Sequence, residues 1–173
     1  MDLSKLAPSD AVVALRGLER RYRGLFAGLG DDESPDDLAH RQAPGAWSAF
    51  EHIVAATRDI AAANRALAAV LTVDTPAVAP ADVDVAERAK PSAPTGPVHA
   101  QLAELGLEAN AAADRIANVP AGDWSRTAVI ADGSGRTVTA LDIGRAAVNA
   151  GVSHLREAER VLAAVRGRPP ATG

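Results

Sequence analysis

Two histidines, His52 and His154, are the residues in this chain whose type and surroundings point most directly to chemistry. At about 100° per residue, each lies on the flank of an amphipathic helical pattern and faces a seam of small residues, mostly alanine. Two neutral imidazoles that meet across such a seam, with a third ligand, would form an open divalent-metal site with positions for water or substrate. Two hydrogen-bonded, partly buried structural histidines would show the same pattern, so both interpretations stay open.

The other candidate side chains for binding carry weaker signals. His40 and His99 complete the set of four histidines. Three single arginines, Arg21, Arg58 and Arg145, are candidates for holding the anionic groups of a substrate or thiol at the mouth of a site. Arginines on helices are mostly solvated, so we treat this role as the weaker interpretation of each.

Four further features favour structure over chemistry. Trp47 precedes a Ser48 helix cap, so we interpret it as a core or staple residue rather than a stacking surface for substrate. Glu51 is interpreted as the carboxylate of a capping box rather than a general base. Trp124 is expected to anchor a hairpin to the helices. The Asp-Gly-Ser-Gly run at 132–135 is expected to be a hairpin turn, because no helix follows it directly as a phosphate loop would require.

The composition predicts helices that pack closely. The chain has 173 residues, of which 47% are apolar and 40 are alanine. Alanine is the strongest helix former and lets helix axes approach near the lower end of the ~8–10 Å range, which favours a bundle over a β-sandwich. The size suits a single domain, which we place at 1–167, with residues 168–173 as a disordered tail.

The spacing of apolar residues predicts four helices that would carry these side chains. They cover about 9–29, 48–73, 97–118 and 139–167, with caps at Ser9, Ser48 and Thr139. The stretch 72–96 is rich in proline and holds only a weak helical pattern at 81–89, so we predict a long crossover that lets helices two and three run parallel. Residues 120–138 change to a strand period and predict a short β-hairpin. The predicted fold class is therefore all-α, a four-helix bundle with a long crossover between helices 2 and 3 and a hairpin between helices 3 and 4.

Charge and composition argue against several classes of function. The formal net charge of −4 gives no general field that attracts nucleic acid or an anionic membrane surface. No apolar run reaches the ~20 residues of a membrane span, and the first residues lack a secretory pattern, so we expect a cytoplasmic protein with small-molecule partners. The absence of cysteine excludes disulfides, thiolate metal sites and a cysteine nucleophile.

Two motifs in this order resemble the DinB-like superfamily, which includes mycothiol-dependent maleylpyruvate isomerases. The run Trp47-Ser-Ala-Phe-Glu-His52 resembles its second helix, where a Trp is followed by Ser or Thr and then by a His five residues after the Trp. The run that begins His154-Leu-Arg-Glu resembles its last helix, and the resemblance spans nearly the whole chain. It implies a four-helix bundle with a divalent metal, often zinc or nickel, held by one ligand on helix two and two on helix four.

The ligand set that the resemblance implies is incomplete in this sequence. Two ligands fall on His52 and His154, but the third, four residues before the last, falls on Ala150. A methyl group cannot coordinate, and two protein ligands should bind a metal far more weakly than three.

Four neighbouring residues come into question as replacements for the missing ligand. Asn149 points about 100° away from the ligand face. Asp59 follows His52 by seven residues on the same face, about 10 Å along the helix, and is expected to be too far away. His99 and Glu51 stay open.

The resemblance and the missing ligand together give competing hypotheses for function. In the first, a metal-dependent transferase or isomerase activates a low-molecular-weight thiol such as mycothiol, because the metal lowers the pKa of the bound thiol. In the second, the bundle is a degenerate member that binds a small ligand or forms a homodimer without metal or catalysis. A third hypothesis, a DNA-interacting protein, is opposed by the acidic composition.

Overall fold

The structure, a computed structural model, describes residues 5–29, 33–84, 90–91 and 95–167, so the predicted tail at 168–173 lies outside the described residues. The helices are α1 (Pro8–Arg16), α2 (Leu18–Gly24), α3 (Pro35–His40), α4 (Ala49–Thr72), α5 (Pro80–Val83), α6 (Val98–Ala117) and α7 (Ala140–Val165). The strands are β1 (Ala77–Val78), β2 (Thr127–Ile130) and β3 (Thr137–Thr139). The bundle predicted from the sequence is confirmed, and its four members are α1 with α2, α4, α6 and α7.

Cross-helix contacts show that α4 and α6 run parallel. Near their beginnings, Gln101 Nε2 donates to Thr57 Oγ1 over 3.2 Å, and nearer their ends Arg115 Nε donates to Asn64 Oδ1 over 2.6 Å. Partners that advance together along both helices fix a parallel pair. The long connection between them is therefore the predicted crossover, since a short loop joins only antiparallel neighbours.

The first and last helices complete the bundle in the opposite direction to α4 and α6. Arg16 on α1 pairs with Asp114 near the end of α6, and Glu19 on α2 lies against Gly106 in the middle of α6. The contacts move back along α6 as the first segment advances, which makes the two antiparallel. Tyr22 Oη donates to the carbonyl of Gly151 over 3.0 Å, and so ties α2 to the middle of α7. This contact requires a close approach, because a Cβ at position 151 would overlap the Cδ2 of Leu18.

The helix predicted over 9–29 differs from the structure at both ends and in the middle. It begins at Pro8 with Ala7 as N-cap, so the predicted Ser9 cap is wrong. Proline suits the first helical position, where the missing N–H has no partner to lose. Gly17 separates α1 from α2, although bonds from Gly17 N to the carbonyl of Val13 and from Arg21 N to the carbonyl of Gly17 bridge the break.

The predicted hairpin at 120–138 is present and belongs to a three-stranded sheet. β2 pairs antiparallel with β3, with Thr127 opposite Thr139, and Trp124 packs against the bundle beside Gly144. The crossover adds β1, which pairs parallel with β2 in the order β1-β2-β3. The weak helical pattern at 81–89 corresponds to α5 at its start, and residues 85–89 lie outside the described residues. Within the described part of the chain, no helix combines the length and apolar character that crossing a membrane requires.

Candidate functional site

The first turn of α4 holds His52 in place through the predicted capping box. Ser48 Oγ accepts a hydrogen bond from the Glu51 N–H over 3.1 Å, and Glu51 Oε2 accepts from the Ser48 N–H over 2.7 Å. Gln42 Nε2 and Lys90 Nζ also approach the Glu51 carboxylate, at 3.1 and 3.0 Å. Burial alone would raise the pKa of Glu51, but the bond from Ser48 and the Lys90 ammonium outweigh burial and lower it. Glu51 is therefore a structural carboxylate, as the sequence indicated.

His52 and His154 meet in the seam between α4 and α7. Their Nδ1 atoms lie 3.2 Å apart in a buried hydrogen bond, and the two residues are only 8% and 7% exposed. Burial, with a smaller contribution from the neighbouring His154, lowers the pKa of His52 from 6.5 to about 4. At neutral pH His52 is therefore uncharged, and a nitrogen lone pair remains on its ring.

Asp59 extends this pair into a line of three groups. Its Oδ2 lies 3.0 Å from His154 Nε2, and its Oδ1 accepts a bond from Arg58 Nε over 2.9 Å. The expectation that Asp59 is too far away uses its distance from His52 along α4. Asp59 instead contacts His154 on the antiparallel α7. Along the axis of α4, His154 lies between His52 and Asp59, so it contacts both. Sequence reasoning considered Asp59 only as a metal ligand and missed its contact with His154.

Trp47, just before the start of α4, covers the histidine pair. Its ring stacks on His52 at a centroid distance of 5.1 Å and on His154 at 6.1 Å. Trp47 and His52 stand at the two positions of a hydrophobic staple, immediately before the cap and four residues after it, so the staple interpretation fits the structure. The interpretation missed that the second staple residue is a site histidine, which makes the half-buried Trp47 part of the site wall.

The remaining candidates lie away from the pair. His40 is exposed, and its Nε2 lies 3.0 Å from the carbonyl of Gly96, while His99 is exposed in the first turn of α6. Arg145 Nε donates to the carbonyl of Leu6, and Arg21 is exposed on α2. Within the described part of the chain, no hydrogen bond or ion pair links Arg21 or Arg145 to either histidine. Their role in substrate or thiol binding stays a prediction.

The donor atoms fit two corners of a metal site and lack the third. Two nitrogens bound to one tetrahedral zinc at ~2.0–2.1 Å would be about 3.3 Å apart, close to the separation of the two Nδ1 atoms. The third position is Ala150, which is fully buried one turn before His154 and offers only a methyl group. Asp59 offers no replacement, because it contacts Nε2 of His154, the ring nitrogen that points away from the Nδ1 atoms where the ion would be held. Among the residues that the structure describes, no three His, Cys, Asp or Glu side chains are grouped to hold a metal ion. The three-ligand centre that the resemblance implies is therefore not formed by these residues.

A surface depression lies far from the histidines. It measures about 450 Å³ and is lined by Leu71, Ala111, Asp114, Arg115 and Asn118. These residues belong to the last turn of α4 and to the second half and C-cap of α6, whereas His52 lies in the first turn of α4. The depression is therefore separate from the candidate site.

Comparison with known proteins defines the fold. No protein-family model matches the sequence, and no curated protein matches it. A solved structure, described as "YfiT from Bacillus subtilis is a probable metal-dependent hydrolase with an unusual four-helix bundle topology", superimposes with a TM-score of 0.71 over 94% of this chain and 89% of that chain. This chain has that bundle fold. The two sequences are 15% identical, so the likeness shows the fold alone, and membership of the DinB-like superfamily stays a prediction.

Proposed function

We propose that this protein is an enzyme that transfers a small thiol to an electrophilic substrate, with the His52–His154 pair as its general base and without a three-ligand metal. The observation that carries the proposal is the buried line of hydrogen bonds from Asp59 through His154 to His52. A base oriented by a carboxylate is the arrangement that activates nucleophiles in many unrelated enzymes.

The cost of burying these groups supports a functional role. Alanine fills most of the seam between α4 and α7 and requires no hydrogen bonds, whereas two imidazoles and a carboxylate are stable there only when each finds a partner. Titratable groups whose pKa values are shifted by burial and by a specific charged neighbour are concentrated at functional sites. Trp47 adds a half-buried aromatic wall against which a substrate ring can stack.

The basicity of His52 favours a thiol over water as the nucleophile. With its pKa lowered to about 4, His52 is a weak base. Bulk water has a pKa of about 15.7, and enzymes that use it at neutral pH commonly lower that value with a metal. A free thiol has a pKa of about 8.5, so a weak base can deprotonate it without a metal that lowers its pKa. The thiol must come from a small molecule, because the chain has no cysteine.

Ala150 favours a second candidate function, a bundle that binds a small ligand without catalysis. If the implied third ligand has been lost from a metal enzyme, the same seam retains an aromatic wall and two polar side chains that can recognise a ligand. This candidate predicts that ligands raise the melting temperature of the protein while no product forms.

A thiol-transfer assay on chelator-treated protein tests the proposal and separates the two candidates. N-acetylcysteine serves as thiol and 1-chloro-2,4-dinitrobenzene as electrophile: the S–H proton passes to the histidine pair, sulfur forms the C–S bond, and chloride leaves with its bonding electrons. General base catalysis contributes about 10²–10⁴-fold, so His52→Gln should lose that factor, whereas the exposed control His99→Gln should keep the native rate. Equal rates in native protein and His52→Gln would contradict the proposal. Stabilisation by thiol without turnover would favour the second candidate.

A further inference from the structure

We infer that Asp59 is a positioning residue that sets the tautomers of both histidines and thereby makes Nε2 of His52 the proton-accepting atom. The inference rests on the proposed function for its catalytic meaning. Three hydrogen bonds support it, and they join Arg58 to Asp59, Asp59 to His154, and His154 to His52.

The Asp59 carboxylate fixes the tautomer of His154. The Asp59 carboxylate, with Arg58 Nε bound to Oδ1, can only accept hydrogen bonds. Its Oδ2 lies 3.0 Å from Nε2 of His154, so Nε2 must carry the hydrogen of that bond. In its neutral form the His154 imidazole has a single N–H, so Nδ1 then keeps a bare lone pair.

His154 in turn fixes the tautomer of His52. The bare Nδ1 of His154 lies 3.2 Å from Nδ1 of His52, and a hydrogen bond between two nitrogens needs one donor. The hydrogen must therefore sit on Nδ1 of His52, which leaves its lone pair on Nε2. Asp59 thus determines, across two rings, which nitrogen of His52 can take a proton from a nucleophile. It does so without touching the reacting atoms itself.

The arrangement predicts that an amide at position 59 reverses the direction of both hydrogen bonds that join residue 59, His154 and His52. Arg58 Nε requires an acceptor, so it keeps the amide oxygen of an Asp59→Asn side chain on its own side and turns the NH₂ group toward His154. That group donates to Nε2 of His154, which moves the hydrogen of His154 to Nδ1. Nδ1 then donates to His52, which becomes the Nε2–H form and has no lone pair left at the accepting position. The analogous carboxylate-to-amide change in serine-protease triads lowers kcat about 10⁴-fold through the wrong tautomer.

Two-dimensional ¹⁵N NMR of the imidazole side chains tests the inference directly, because it reports which ring nitrogen carries hydrogen. The spectra are recorded in mildly alkaline buffer on native protein, Asp59→Asn and the control Glu51→Gln. Glu51 is also a buried carboxylate on α4, but it binds Ser48, Gln42 and Lys90 instead of a histidine. We expect His154 Nε2–H with His52 Nδ1–H in native protein and in Glu51→Gln, and both tautomers exchanged in Asp59→Asn.

Two results would overturn the inference. One is a native spectrum in which His154 carries its hydrogen on Nδ1 or on both nitrogens, which tests the inference even where Asp59→Asn does not fold. The other is a folded Asp59→Asn protein with native tautomers. The exposed His99 gives a reference signal for a solvent-exposed imidazole. The tautomers are read without substrate, so absence of thiol transfer from a protein with the expected tautomers would refute the proposed function and leave the role of Asp59 intact.

Discussion

Nδ1 of His52 lies 3.2 Å from Nδ1 of His154, although 102 residues separate the two along the chain. The bond joins the first turn of α4 to the middle of the antiparallel α7, and both rings are buried. Removing one ring leaves the other with an unsatisfied buried nitrogen, at a cost of about 1–3 kcal/mol. The pair therefore fixes how α4 packs against α7 as well as forming the candidate site.

Acid should destabilise the protein through His52. Its pKa is about 4 in the folded chain and 6.5 for an unperturbed histidine, so below pH 6.5 the unfolded chain binds a proton that the folded chain excludes. The stability that neutral His52 contributes is complete above 6.5, falls as the pH drops toward 4, and amounts to about 3 kcal/mol. Urea unfolding at neutral pH and near pH 4 measures the loss. His52→Gln should lose less stability over this range than His99→Gln, and equal losses would show that His52 is not held neutral by the fold.

Restoring a ligand at position 150 should create a metal site. The two imidazoles already stand at a separation suited to one tetrahedral ion, and residue 150 lies one turn before His154 on the same helix. We expect zinc to raise the melting temperature of Ala150→His, whereas native protein should show little effect. The double variant Ala150→His with His52→Gln controls for zinc that binds elsewhere. A folded Ala150→His protein with no zinc-dependent stabilisation would show that position 150 does not face the pair.

The close approach of α2 and α7 should depend on Gly151. A Cβ there would overlap the buried Leu18 side chain, so Gly151→Ala should cost about 1–3 kcal/mol in the free energy of unfolding. Gly24 is the matched control, because a Cβ at that position meets nothing within 4 Å. Gly24→Ala should be neutral or stabilise α2 by up to about 1 kcal/mol. Chemical denaturation compares the two, and a Gly151→Ala protein as stable as the native one would mean that the helices can move apart.

The cap that holds the site helix should contribute measurably to stability. Ser48→Ala removes the hydroxyl that accepts the Glu51 N–H, and loss of an N-cap costs about 0.5–2 kcal/mol. Ser9 was expected to cap the first helix and does not, because the N-cap there is Ala7. Ser9→Ala should therefore leave the unfolding free energy within about 0.5 kcal/mol of native. A larger loss for Ser9→Ala than for Ser48→Ala would contradict this assignment of caps.

Local rules were enough to predict much of the bundle and the meeting of its two histidines. The capping boxes at Ser48 and Thr139 mark the starts of α4 and α7, and the proline-rich connection indicates the crossover. His52 and His154 each lie on the alanine flank of an amphipathic stripe, which is why both enter the same seam.

Other features depend on tertiary packing that no local pattern encodes. The contact of Asp59 with His154 depends on the axial position of α7 relative to α4. A helical wheel contains no information about that position. β1 has two residues and exists only because β2 lies beside it. Gly17, a weak helix former, separates α1 from α2. The apolar spacing continues across it, so the spacing alone predicts one unbroken helix.

The metal content of the purified protein tests the central claim most directly, namely that the histidine pair is a hydrogen-bonded base rather than a three-ligand metal centre. The protein is expressed in medium supplemented with zinc and nickel, purified without chelating resin, and analysed by mass spectrometry of its metals, beside His52→Gln and His154→Gln. We predict much less than one metal ion per chain, with no difference among the three proteins. One equivalent of zinc or nickel in the native protein, lost in either variant, would contradict the account.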